Sequence, residues 1–126
     1  MTDILIRLAQ TIENRKNGGD EKSYVSELIQ SGSEKCAEKF GEEAVEAIIA
    51  AAKRDKKNLT EESADVLFHM LVMLSSCDVD FKSVLNELER REGKSGLIEK
   101  SERKNNWLSI SYIIKIMYVD FFLLIF

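Results

Sequence analysis

The sequence predicts an all-α protein, an antiparallel helix bundle, and three observations carry that prediction. None of its 126 residues is proline, the residue that most strongly breaks a helix interior. Alanine, leucine, glutamate and lysine, all good helix formers, are plentiful. Apolar residues recur at spacings of three and four, the period of an amphipathic helix, and do not alternate as they would along a half-buried strand. The length allows one domain with a single core.

Ile4, Leu5, Leu8 and Ile12 recur at helical spacing, so residues 3–16 read as a first helix with Thr2 as its cap. Asn17-Gly18-Gly19-Asp20 is turn chemistry and ends it. Ser23 is a candidate N-cap for a short helix from Tyr24 to Gln30, which Gly32 closes. Ser33 opens a long helix to about Lys53, and its apolar stripe runs through Ala37, Phe40, Ala44, Ile48 and Ala51. Asn58, followed three residues later by Glu61, resembles a capping box for a helix that reaches Ser76. Asp80 starts another through about Arg91, Gly93 and Gly96 interrupt the pattern, and residues 97–103 add a further helical turn or two.

A net charge of −4 and a pI near 5.1 give no general attraction to nucleic acid or to an anionic membrane, and none is expected as a partner. Cys36 and Cys77 lack metal-ligand spacing and read as small packing residues in a reduced, cytoplasmic setting. The opening Met1-Thr2-Asp3-Ile4 lacks the basic-then-apolar layout of a signal peptide. Residues 1–103 form the expected helical domain, and residues 104–126 are a hydrophobic tail of different character. From Trp107 to Phe126, sixteen of twenty residues are apolar, and six of the chain's ten aromatic residues lie there. As a helix this stretch spans roughly 30 Å, about one bilayer core. Lys115 and Asp120 lie well inside it, and at about 2.5–3.5 kcal/mol each near a bilayer centre they cancel much of the gain from the apolar residues. The abrupt bias reads as an accretion, such as translation past an original stop codon. Membrane or partner contact and additional core are the alternatives.

The chemistry lies in acids on two helices. The third helix carries Glu42, Glu43 and Glu46, and the fourth carries Glu62 and Asp65. Glu43 and Glu46 are three residues apart, as are Glu62 and Asp65, so each helix presents a carboxylate pair on one face. A short connection makes the two helices antiparallel neighbours and can bring the pairs together. Clustered carboxylates repel one another, and a hard divalent cation with oxygen ligands relieves that repulsion. The alternative is that the glutamates are simply solvated, since they lie opposite the third helix's apolar stripe. The fourth helix favours the metal, because Glu62, Asp65 and His69 share a band that runs on into Val72 and Met73, where solvation alone explains acids poorly. Such a cation would bridge substrate phosphates and polarise them toward attack by water. No seryl or cysteinyl nucleophile with a partner base is apparent.

His69, four residues after Asp65, can hydrogen-bond to it along the helix; it is either a satisfied structural group or a contact for metal or substrate. Lys35 and Lys39, on the glutamate face, either hold phosphate as point charges or, for Lys39, pair with Glu43. Arg90 and Arg91 precede a glycine-rich loop and either clamp phosphate bidentately or complement a helix C-terminus. Arg15, beside Gly18-Gly19, is a weaker form of the same arrangement.

Glu42-Glu43-x-x-Glu46 and Glu62-x-x-Asp65, with fifteen residues between them, resemble the signature of the all-α nucleotide pyrophosphohydrolases, a MazG-like superfamily that includes dimeric dUTPases. The flanks narrow the resemblance to the phosphoribosyl-ATP pyrophosphatase family. They are Leu8-x-x-x-Ile12-x-x-Arg15, Ser23-Tyr24-Val25-x-x-Leu28, Lys35-Cys36-x-x-Lys39-x-Gly41, Ser63-Ala64-Asp65-Val66-Leu67-Phe68-His69, and Leu88-x-Arg90-Arg91-x-Gly93-x-Ser95-Gly96. The similarity covers roughly residues 1–103. It implies hydrolysis of phosphoribosyl-ATP to phosphoribosyl-AMP and pyrophosphate in histidine biosynthesis, and a homodimer whose helices share a core. It also implies Mg2+, with Mn2+ able to substitute, held by Glu43, Glu46, Glu62 and Asp65. Glu42 and Glu46 are the catalytic candidates, Glu42 as a group that orients water. Lys35, Lys39, His69, Arg90, Arg91 and Arg15 are the candidates for contacting substrate. Phe68 stands where the family often has tyrosine, and Glu38 where it often has lysine. The rival readings are a house-cleaning pyrophosphohydrolase of the same fold acting on dUTP-like triphosphates, and a non-catalytic helical dimerisation module.

Overall fold

The computed structural model describes residues 3–18 and 22–92. Among them are five helices and no strand: α1 (Asp3–Lys16), α2 (Tyr24–Gln30), α3 (Ser33–Ala52), α4 (Lys56–Ser76) and α5 (Phe81–Arg91). The all-α reading holds, and the boundaries follow the expected ones closely. The Thr2 cap, the Gly19-Asp20 half of the first turn, the Gly93–Gly96 loop, the turns at 97–103 and the tail lie outside the described residues. No helix among the described residues is long and apolar enough to cross a membrane. Residues 1–87 form one compact unit and residue 88 begins a second. The described part of that second unit, residues 88–92, contains the last turn of α5.

Local chemistry sets the helix ends. At α2 the Ser23 hydroxyl accepts from Ser26 N at 3.1 Å while the Ser26 hydroxyl accepts from Ser23 N at 3.0 Å, a reciprocal cap. Gly32 joins α2 to α3 at φ 102°, a left-handed conformation that costs a glycine little. The cap of α4 differs from the expected one. Asp55, not Asn58, is the N-cap, its Oδ1 accepting from Asn58 N at 3.1 Å, so the helix begins a turn earlier. Asp80 Oδ1 accepts from Lys82 N at 3.1 Å at the head of α5.

The core comprises Ile12, Val25, Leu28, Cys36, Leu71, Val72 and Phe81, with Leu5, Leu8, Phe68 and Leu85 packed around it. Ile4, at the edge of the α1 stripe, is exposed. Cys36 is buried as expected, but Cys77 is exposed at the C-cap of α4. Helix α4 thus has two functions along its length. Its C-terminal half buries Leu71, Val72 and Ser75, while its N-terminal half carries the acids. Lys16 fastens α1 to the C-terminal end of α4, its Nζ donating to Ser75 O at 2.7 Å and to Asp78 Oδ1 at 2.6 Å.

Helix α3 packs on α4 with a face that only partly overlaps the expected one, since Phe40 and Ala44 of the expected stripe are half-buried. Cys36 and Ala50 are buried, and Phe40, Glu43 and Ala47 are half-buried between them. Ala37, Ile48 and Ala51, from the predicted apolar stripe, are exposed, with Ile48 at 67 %. The physical reason is size. Small side chains at Cys36, Ala47 and Ala50 share one face with Phe40 and Glu43, all at successive spacings of three and four; they let α4 approach closely, and Glu43 is carried into the contact with them.

Candidate metal centre

The antiparallel contact of α3 and α4 brings Glu43 opposite Glu62 and Asp65. One carboxylate oxygen from each of these three residues lies within 4.8 Å of the others. Glu46, one turn further along α3, joins through Glu62. The Glu62 carboxyl is pushed above the ordinary glutamate range first by desolvation, then by a hydrogen bond with Glu46, then by the charges of Glu46, Glu43 and Asp65. Sequence reasoning gathered these four acids, and the chain brings them together. Glu62 carries the repulsion of its acidic neighbours, and an all-oxygen donor set on two helices is the set that a hard divalent ion takes. The residues fit such an ion.

Glu42 stands apart from this group. Its carboxylate accepts a hydrogen bond from Lys39, which holds it below the usual carboxylate range, and the Lys39 ammonium is raised in turn. The alternative to phosphate binding for Lys39 was pairing with Glu43 at i+4; it pairs instead with Glu42 at i+3, while Glu43 is half-buried against α4. Lys35 pairs with Glu38 at 2.8 Å. Both pairs are partly exposed, and such pairs contribute little to stability, so exchanging a carboxylate for a phosphate costs little.

His69 departs from its expected contact. Its Nε2 faces Glu43 Oε1 on α3 at 3.8 Å, and its Nδ1 is buried with no hydrogen-bond partner, so the anticipated bond to Asp65 is not formed. The residue is 6 % exposed. Phe68 and Tyr24 pack edge-on against it, with centroid separations of 5.2 and 6.0 Å. Tyr24 was not singled out as a site residue from the sequence. Its only local signal is its place immediately after the Ser23 cap.

Arg15, Arg90 and Arg91 are the remaining candidates. Arg15 is exposed in the last turn of α1. Its neighbour Lys16 binds at Ser75 and Asp78, about 15–20 Å along α4 from Asp65 and Glu62 at 1.5 Å per residue. Arg90 and Arg91 occupy the last turn of α5.

Comparison with known proteins places the chain in a family. The family model described as phosphoribosyl-ATP pyrophosphohydrolase matches residues 5–92, a span that contains every acid of the site. A phosphoribosyl-ATP pyrophosphatase of Paracoccus denitrificans is 57 % identical over 100 residues, covering 79 % of this chain and 93 % of that protein. Proteins of the same name from Rhodobacter capsulatus and Roseobacter denitrificans are each 58 % identical. The first aligns over 99 residues (79 % of this chain, 96 % of the relative) and the second over 96 (76 % and 91 %). The chain belongs to the phosphoribosyl-ATP pyrophosphohydrolase family.

Proposed function

We propose that this chain hydrolyses phosphoribosyl-ATP to phosphoribosyl-AMP and pyrophosphate, the second step of histidine biosynthesis, by attack of water at the α–β phosphate linkage. The convergence of Glu43, Glu62 and Asp65 is the observation that carries the chemistry, and the names of the relatives supply the substrate. Glu43, Glu46, Glu62 and Asp65 hold Mg2+, with Mn2+ able to substitute. When bound, the ion supplies Lewis-acid polarisation of the phosphoryl oxygens and lowers the pKa of the attacking water. Glu46, exposed beside Glu62, takes the proton of that water, and Glu42, released as Lys39 turns to substrate phosphate, orients it. Lys35 and Lys39 exchange their glutamate partners for substrate phosphate, with Arg90, Arg91 and Arg15 as further phosphate ligands.

The active form in this proposal is a cytoplasmic homodimer. Val45, Ile48 and Ile49 on α3 and Leu67 on α4 are exposed large apolar residues on the two helices that carry the acids. A second copy covering them would also enclose the side of the carboxylate group that one chain leaves open.

Pyrophosphate release measured with phosphoribosyl-ATP, dUTP and ATP tests the proposal. Phosphoribosyl-ATP is expected to be turned over fastest; faster turnover of either plain triphosphate would overturn the substrate assignment.

A further inference from the structure

His69 is buried among groups that constrain how it carries its proton. Phe68 and Tyr24 present ring edges at interplanar angles of 88° and 90°, which fixes the plane of the imidazole. Nε2 looks across to Glu43 Oε1 at 3.8 Å, while Nδ1 is buried without a partner. An uncharged imidazole has one N–H and one lone pair. A proton on Nδ1 would bury a donor with nothing to receive it and turn the Nε2 lone pair toward a carboxylate oxygen, which is unfavourable at both ends. A proton on Nε2 aims a donor at Glu43 and leaves only a lone pair at the buried position, where an unmet acceptor is better tolerated than an unmet N–H.

We propose that His69 is a positioning residue: in its Nε2–H tautomer it donates to Glu43 and holds that carboxylate in the orientation in which it joins Glu62 and Asp65. This rests on the reading of Glu43 as a metal ligand. The present separation is about 1 Å longer than a usual N–H···O bond. Rotation about the broad terminal torsion of Glu43 closes the gap once the carboxylate is drawn to a cation. The buried, unpartnered Nδ1 is then the cost of placing a donor behind a ligand, and groups in that position commonly change metal affinity by about 10–100-fold.

Two measurements on the full-length protein test this without recourse to activity. Long-range 15N–1H NMR correlations, recorded where the imidazole is neutral, report which ring nitrogen carries the proton; Nε2 is expected, and Nδ1 would overturn the proposal. Mn2+ binding, followed by the EPR signal of the free ion, compares the unsubstituted protein with His69→Gln and His69→Asn. The glutamine amide nitrogen reaches about where Nε2 stands, whereas the asparagine amide ends near Nδ1. His69→Asn should therefore weaken Mn2+ binding by about 10–100-fold, and His69→Gln should restore most of it. Equal affinity in all three proteins would overturn the proposal, and if a variant misfolds the tautomer decides. An unsubstituted protein that binds no Mn2+ would instead remove the metal-ligand reading of Glu43, and this proposal with it.

Discussion

Glu62 shows how one residue couples stability to function. Its carboxyl is held above the ordinary range by desolvation and by three neighbouring acids, so the folded chain binds that proton more tightly than the unfolded chain. Stability of the metal-free protein therefore falls as pH rises from the ordinary glutamate range through the raised value, and the deficit is fully present above it. Glu62→Gln should raise the melting temperature of the metal-free protein at neutral pH and leave it unchanged in acid below the ordinary range. The same substitution should lower hydrolysis by about 10²–10³-fold, since a Lewis-acid cation supplies several kcal/mol at the transition state. Thermal melts against pH in chelator, paired with pyrophosphate release, check both halves. Spacing alone made this acid legible, because three-residue separation on a helix fixes a shared face. The contact between His69 and Glu43 was not legible, since it depends on the register of α4 against α3, which no pattern within either helix encodes. The partner of Lys39 was ambiguous for a related reason: i+3 and i+4 acids are equally near on an isolated helix, and only the packing of Glu43 inward leaves Glu42 as the partner.

At the scale of the helix, ends were easier to read than faces. Ser23 and Gly32 have few alternative uses, and both stand where expected. Asp55 and Asn58 are both good caps, and the pattern ending in Glu61 favoured Asn58, whereas the shorter connection from α3 gives the role to Asp55. Asp55→Ala should then cost about 1 kcal/mol, which in a domain of this size lowers the melting temperature by about 4–8 °C. Asn58→Ala should stay within about 0.5 kcal/mol, as surface changes away from caps do. Urea unfolding of the two variants separates the possibilities, and a larger loss at Asn58 would reverse the assignment. The face of α3 was misread because it carries two adjacent apolar stripes. Bulk drew attention to the one containing Ile48, while close packing selected the one with Cys36, Ala47 and Ala50.

For the whole molecule, the exposed stripe containing Ile48 becomes informative. Four large apolar side chains left exposed on the two helices that bear the acids account for the proposed dimer better than for a chain acting alone. Ile48→Asp should shift the protein from dimer to monomer in light scattering and reduce activity with it; a dimer that persists unchanged would place the interface elsewhere. The all-α class, the order of helices and the set of acids were legible because each rests on local periodicity. The exposed face of α3 and the depth of His69 were not, because both are properties of how helices meet.

The most direct test of the central claim, that acids from α3 and α4 share a divalent cation, is the melting temperature with and without Mg2+ for the unsubstituted protein and Asp65→Asn. At a concentration about fivefold above its Kd, an ion bound only by the folded state adds about 1 kcal/mol, which raises the melting temperature by about 4–8 °C. The account predicts that rise in the unsubstituted protein and its loss in Asp65→Asn. No rise in the unsubstituted protein, or an equal rise in both, would contradict it.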